Sequence, residues 1–181
     1  FDTKGNLLEI VYPDGATVKK EHDSRFNRPV KTMDENGVET LFTYDDKGRL
    51  MEKKEAAGTP SQRITASTYD DDGNLLSTTQ VGDEETPEAV TRNTYDAAGN
   101  QISSTDPEGH TTCFTYDAQG NLLTRTDPTG AVWRYAYDLA GRLTRTQDPL
   151  GHETRFFYDA QGRKIRELDP KGNETRYAYD A

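Results

Sequence analysis

A Tyr-Asp pair returns every 21 residues through the second half of this chain: Tyr95-Asp96, Tyr116-Asp117, Tyr137-Asp138, Tyr158-Asp159 and Tyr179-Asp180. The first four tyrosines are each followed four positions later by a glycine, at Gly99, Gly120, Gly141 and Gly162. A fixed period of this length marks a stacked-repeat architecture, in which one supersecondary unit cannot bury its apolar face alone and needs neighbours on both sides. Function is therefore sought in the assembled surface rather than in a single pocket.

The pattern extends upstream with less regularity. Tyr69-Asp70 with Gly73 and Tyr44-Asp45 with Gly48 keep the full signature, and His22-Asp23 and Phe1-Asp2 occupy the two earlier starts. The spacings between starts run 21, 22, 25, 26, 21, 21, 21 and 21. Residues 1–181 thus read as one array of about eight repeats, irregular with longer loops over 1–94 and regular over 95–181. The chain begins and ends inside the pattern, so it reads as a piece of a longer protein. In the second repeat Phe26 holds the glycine slot and Arg28-Pro29-Val30 replaces the usual apolar pair, which predicts a turn of different shape.

Within one repeat, Asp117-Ala118-Gln119-Gly120 and Asp127-Pro128-Thr129-Gly130 share the form Asp-x-x-Gly. Aspartate at the first corner accepts nearby backbone N–H groups, proline presets φ, and glycine allows φ > 0, which together predict a type I turn closing a hairpin through a glycine bulge. Each repeat therefore carries two chain reversals separated by strand-length arms. Alternation along Val132-Trp133-Arg134-Tyr135-Ala136-Tyr137 puts Trp133, Tyr135 and Tyr137 on one face and Val132, Arg134 and Ala136 on the other. Thr154, Phe156 and Tyr158, then Thr175, Tyr177 and Tyr179, continue the first row and predict an aromatic ladder. In the third and fourth repeats the extra residues fall at the second turn, within 55–62 and 81–88, so one edge of the strip is constant and the other carries loops. Such loops are either partner-binding sites or tolerated surface growth.

Only 31% of residues are hydrophobic and 30% are charged, which suits a thin sheet better than a thick core. No apolar run approaches the roughly 20 residues a membrane-spanning helix requires. The net charge is -10, with 12 basic and 19 acidic residues in 1–94 (-7) and 10 basic and 13 acidic in 95–181 (-3). That balance disfavours a nucleic-acid binder, against which stands a local run of Arg134, Arg142, Arg145, Arg155, Arg163, Lys164 and Arg166. Cys113 is the only cysteine, so an internal disulfide is excluded, and it occupies a position filled by Arg134, Arg155 and Arg176 in later repeats.

Site chemistry is sparse. Asp70-Asp71-Asp72-Gly73 resembles the start of a calcium loop but lacks the later glutamate, and Asp70 and Gly73 have turn duties. His22, His110 and His152 are scattered, the last two at equivalent positions, and make no metal site on their spacing. No nucleophile elbow or phosphate-cradling loop is present. Carboxylates that recur once per repeat in identical settings are scaffold rather than the isolated acid/base pair of a glycosidase. The expectation is no catalytic residue, no cofactor and no metal.

Tyr116-Asp117-Ala118-Gln119-Gly120-Asn121-Leu122 and Asp127-Pro128-x-Gly130 resemble the YD repeats of the RHS family, which includes bacterial Rhs polymorphic toxins, the B and C components of Tc toxins, wall-associated repeat proteins and teneurins. The resemblance covers essentially the whole chain. It implies an all-β fold: a curved or spiralling antiparallel sheet of tandem hairpin repeats, forming the wall of a hollow shell. It further implies, as partners, the remaining repeats and a C-terminal toxin of the parent chain, and a secreted or bacterial cell-surface location. Neither the shell-closing region nor a toxin domain is recognisable in this stretch. Exposed sheet edges would favour edge-to-edge self-association. The alternative is an extracellular adhesion or carbohydrate-binding module in which sugar rings stack on Trp133 and Tyr135, with Phe156 and Tyr177 beside them. A third reading, a calcium-stabilised surface array, predicts a melting temperature that responds to calcium.

Overall fold

The hydrogen-bonding demands of the two Asp-x-x-Gly turns fix the architecture. The computed structural model describes residues 1–82 and 87–180. All its regular structure is β: β1 (Glu9–Val11), β2 (Thr17–His22), β3 (Pro29–Met33), β4 (Glu39–Tyr44), β5 (Leu50–Glu55), β6 (Arg63–Tyr69), β7 (Leu75–Val81), β8 (Ala89–Tyr95), β9 (Gln101–Thr105), β10 (Thr111–Tyr116), β11 (Leu122–Thr126), β12 (Val132–Tyr137), β13 (Leu143–Gln147), β14 (Glu153–Tyr158), β15 (Lys164–Leu168) and β16 (Glu174–Arg176). The strands form one antiparallel sheet in sequence order. Two compact units divide the chain, Phe1–Arg92 and Asn93–Ala181.

Both reversals of a repeat close identically. At the first, Gly120 N–H donates to Asp117 C=O (3.1 Å) and Asp117 N–H to Asn121 C=O (2.9 Å); at the second, Gly130 N–H donates to Asp127 C=O and Asp127 N–H to Ala131 C=O, both at 3.0 Å. Gly120 has φ +84° and Gly130 +87°, a conformation glycine adopts without steric cost. The aspartate side chain holds the turn from inside: Asp117 Oδ1 accepts the N–H groups of Gln119 (2.9 Å) and Asn121 (2.8 Å).

The turn at Phe26 has the different shape its sequence predicts. Asn27, one position later, takes the left-handed conformation (φ 57°), and its N–H reaches Asp23 C=O at 3.2 Å, so the turn is one residue longer. That residue accounts for the 22-residue spacing from His22 to Tyr44. The insertion of the third repeat closes on itself through Ala56 C=O and the Gln62 side chain, and Ala57 N–H donates to Glu39 C=O at 2.9 Å. The corresponding insertion of the fourth repeat falls largely on residues 83–86, outside the described residues.

Pairing slips by one residue at the start of the first-turn hairpin at Tyr116, where Tyr116 opposes Leu122 while Thr115 opposes Thr124. The same bulge recurs at Tyr44, Tyr69, Tyr137 and Tyr158. A bulge interrupts period-two alternation, so Leu122 joins Tyr116 on one face while Thr124 joins Thr115 on the other. Among the described residues no hydrophobic or polar side chain is fully buried. The sheet is a single layer held by backbone ladders and modest cross-strand pairs.

Candidate functional site: the tyrosine-aspartate edge

Tyr44, Tyr69, Tyr95, Tyr116, Tyr137 and Tyr158 each end a strand, and Tyr179 lies just beyond β16. Four of their hydroxyls donate to a backbone carbonyl at the start of a preceding strand: Tyr44 to Pro29 (2.9 Å), Tyr116 to Gln101 (2.9 Å), Tyr158 to Leu143 (2.8 Å) and Tyr179 to Lys164 (2.7 Å). These partners lie 15 residues back, whereas Tyr69 bonds Leu50 at 3.0 Å from 19 residues away. The four-residue difference matches the longer spacing from Tyr44 to Tyr69, so the insertion bows out at the opposite edge and leaves the tyrosine bond in place. Tyr137 occupies the same register position, and burial pushes its hydroxyl pKa up, as it does for Tyr44 and Tyr116. Tyr95 also stands there, at the end of β8.

The residue after the turn glycine completes the edge. Arg142 Nε donates to its own turn's Asp138 (2.7 Å), one Nη donates to Asp159 C=O in the next turn (3.2 Å), and its guanidinium stacks 5.1 Å from the Tyr158 ring centre. Arg49 repeats this with Asp45 (2.6 Å), Asp70 C=O (2.6 Å) and Tyr69 (5.0 Å), and Arg163 with Asp159 (2.8 Å), Asp180 C=O (3.3 Å) and Tyr179 (4.9 Å). Where asparagine stands instead, its amide returns to its own aspartate, as in Asn74 to Asp70 (2.9 Å), Asn100 to Asp96 (3.0 Å) and Asn121 to Asp117 (2.9 Å). Successive first turns also touch. A Cβ placed on Gly120 would lie 3.5 Å from Asn100 Oδ1, one on Gly141 3.7 Å from Asn121 Oδ1, and one on Gly162 3.6 Å from an Arg142 Nη. At the second turns, a Cβ on Gly109, Gly130, Gly151 or Gly172 meets nothing within 4 Å. The sequence showed the Tyr-Asp-Gly signature but not these staples, although Asn or Arg after the glycine was their visible signal.

The turn carboxylates are structural acceptors. The Asn121 side-chain amide, then its backbone N–H, holds Asp117 below its ordinary pKa, and Asn100, Asn74 and Asn173 do the same for Asp96, Asp70 and Asp169. A carboxyl whose folded pKa is depressed contributes stability that is present above the unfolded value, near 3.9, and is lost as pH falls through the folded value. Melting temperature should therefore hold from neutral pH to about pH 5 and fall steeply below about pH 4. Thermal unfolding across that series checks it, and a melting temperature unchanged down to pH 3 would contradict the assignment.

The aromatic row is interleaved with polar side chains rather than stacked ring on ring. Trp133 opposes Arg125, whose guanidinium lies 4.7 Å from the indole centre; Tyr135 opposes Thr146, and Phe156 opposes Glu167. Lys164 sits between Phe156 (5.5 Å) and Tyr177 (4.5 Å) and pairs with Glu167 at 2.8 Å. Of the two rings read as glycan platforms, Trp133 is thus capped by Arg125, whereas Tyr135 lines an open cleft of about 670 Å³ with Leu123, Tyr137, Asn121 and Leu139.

A sequence model of the family described as "Teneurin YD-shell" matches residues 26–181. The chain belongs to the teneurin YD-shell family. Solved structures of similar fold include the crystal structure of TcdB2-TccC3, with TM-score 0.57 and 20% identity over 99% of this chain and 12% of that one. TcdB2-TccC3 without its hypervariable C-terminal region gives the same values, and the Photorhabdus luminescens Tc holotoxin pore matches at TM-score 0.57 and 20% identity over 99% of this chain and 11% of that one. Comparison with curated proteins finds no match. The YD-shell segment therefore spans about an eighth of the length of these structural relatives.

The remaining sequence candidates of this YD-shell segment do not converge. Cys113 is exposed and free on β10. His22 holds a tyrosine position, and its Nδ1 is buried without a hydrogen-bond partner. His152 bonds Asp148 at 2.8 Å and His110 bonds Asp106 at 3.1 Å, each across its own turn. Spacing alone missed one grouping: Asp106, Glu108 and His110 place their ligand atoms within 4.8 Å of one another on a single second turn. Asp106 Oδ1 already accepts the His110 backbone N–H, and Glu108 and His110 are exposed. No helix among the described residues is long and apolar enough to cross a membrane.

Proposed function

We propose that this YD-shell segment is non-catalytic wall, part of an enclosure that holds a C-terminal toxin or effector segment of a secreted parent protein. The observation that carries this reading is the stapled edge. Within each unit, tyrosine hydroxyls and edge arginines or asparagines tie successive first turns into a layer in which no described side chain is fully buried. Such a layer is suited to bounding a space rather than to building a pocket, and its periodic carboxylates are committed to turn N–H groups. The similarity to structures of TcdB2-TccC3 supports the reading.

Limited proteolysis of the parent protein tests it. The segment downstream of the repeats should resist protease in the intact protein and be digested once residues 95–181 are deleted. Equal digestion in both forms would overturn containment.

A second reading, a carbohydrate-binding module, is favoured by one feature, the open cleft at Tyr135. It requires glycan-array binding that disappears in Tyr135→Ala with the far-ultraviolet dichroism unchanged.

A further inference from the structure

The first-turn bulges sort the arginines of unit Asn93–Ala181 in a way the linear sequence conceals. Arg142 and Arg163 belong to the stapled edge, and Lys164 lies on the aromatic face against Tyr177. Arg134, Arg145, Arg155, Arg166 and Arg176 share the opposite face. Ala136, two residues from Arg134 on β12, opposes Arg145; Arg145 opposes Arg155; Phe157, two residues from Arg155 on β14, opposes Arg166; and Arg166 opposes Arg176. Directly paired residues point to the same side of a sheet, as do residues two apart on a strand.

The result is one arginine on each of five consecutive strands, spread over about 19 Å at a strand spacing near 4.8 Å. Like charges directly opposite are unfavourable, and two such pairs, Arg145–Arg155 and Arg166–Arg176, are present. Glu153 relieves the first, accepting from Arg145 and from Arg155 at 2.9 Å each, and Glu174 pairs with Arg176. Arg166 stacks on Phe157 at 3.8 Å, and Arg134 is exposed and makes no hydrogen bond, ion pair or ring contact with the described residues. Five arginines against two glutamates leave a positive surplus on one face of a chain whose net charge is -10. Within unit Phe1–Arg92, the face away from Phe42 and Tyr44 matches its lysines with glutamates: Lys19 with Glu9, Lys31 with Glu39 and Lys54 with Glu52. The stripe is thus a property of β12–β16 and not of the repeat.

We propose that this face of β12–β16 docks an extended, Asp/Glu-rich polypeptide segment. Glu153 demonstrates the chemistry, a carboxylate clamped between two neighbouring guanidinium forks, and among the described residues no carboxylate is hydrogen-bonded to the donors of Arg134 and Arg166. A single-stranded nucleic acid would instead need a series of open rings interleaved with the cations, whereas the ring this face sets among its arginines, Phe157, is already covered by Arg166, and Trp133, Tyr135 and Phe156 lie on the other face. The inference stands apart from the shell reading, since the stripe would bind acidic peptide whether or not the sheet encloses anything.

Fluorescence anisotropy of a labelled decaglutamate peptide with the full chain at low salt tests it, with oligothymidylate as competitor. Binding should weaken roughly tenfold or more in Arg134→Gln/Arg155→Gln/Arg166→Gln, weaken measurably in Arg134→Gln alone, and be unchanged by Arg125→Gln on the aromatic face. Arg134 holds no side-chain partner among the described residues, so its single variant keeps the fold and isolates the charge. No peptide binding by the folded chain, binding indifferent to Arg134→Gln, or tighter binding of oligothymidylate than of peptide would each overturn the proposal.

Discussion

Replacing Gly48 with alanine should be among the most damaging single changes in unit Phe1–Arg92, and its cost should trace to Phe26. Gly48 has φ +79°, where a residue with a Cβ is strained by roughly 1–2 kcal/mol. The new Cβ would also stand 2.9 Å from the Phe26 ring, closer than packed carbons approach. Crowding of that kind typically adds about 1–3 kcal/mol. Gly37 is the control, with φ +78° and nothing within 4 Å of an added methyl, so Gly37→Ala should bear the strain cost alone. Urea unfolding of the two variants checks the difference. Phe26→Ala combined with Gly48→Ala should recover the crowding part, a coupling a double-mutant cycle reads directly. Equal costs for Gly48→Ala and Gly37→Ala would mean that the Phe26 ring does not cover the turn.

Tyr158→Ala should destabilise unit Asn93–Ala181 by about 2–4 kcal/mol, somewhat below the loss for a fully buried aromatic. The phenol carries three links at once: the hydroxyl bond to Leu143 C=O at 2.8 Å, the Arg142 guanidinium stacked at 5.1 Å, and a half-buried ring beside the bulge. Tyr158→Phe keeps the ring and the cation contact and removes one hydrogen bond, so it should cost only about 0.5–1.5 kcal/mol. Hydrogen exchange should show the loss concentrated at the turns Asp138–Gly141 and Asp159–Gly162, with the second turn at Asp148–Gly151 little affected. If Tyr158→Phe proves as costly as Tyr158→Ala, the hydroxyl carries the whole contribution and the stacking carries none.

The repeat itself was legible because its signals are local. Asp-x-x-Gly requires only that a carboxylate meet N–H groups two and four residues on and that glycine take positive φ, so both turns and the strands between them follow from short windows. The staples were not legible, because Tyr158 and Leu143 are 15 residues apart and their contact depends on a register that no window contains. The arginines show the same limit more sharply. Lys164 and Arg166 are two apart and by simple alternation share a face, yet the bulge opposite Tyr158 sends Lys164 to Tyr177 and Arg166 to Phe157. The run from Arg134 to Arg166 that reads as one basic feature is in fact divided among an edge and two faces. The Asp106, Glu108 and His110 grouping was missed for a related reason, since the glycine bulge folds alternate residues of one turn toward a common point.

Whether these repeats form wall around an enclosed space is decided by electron cryomicroscopy of the whole protein. The expected result is a closed shell in which residues 1–181 are one stretch of the wall, with the Tyr-Asp edges of successive repeats in contact and density for a downstream segment inside. Repeats running as an open strip, with both faces in solvent and nothing enclosed, would contradict it.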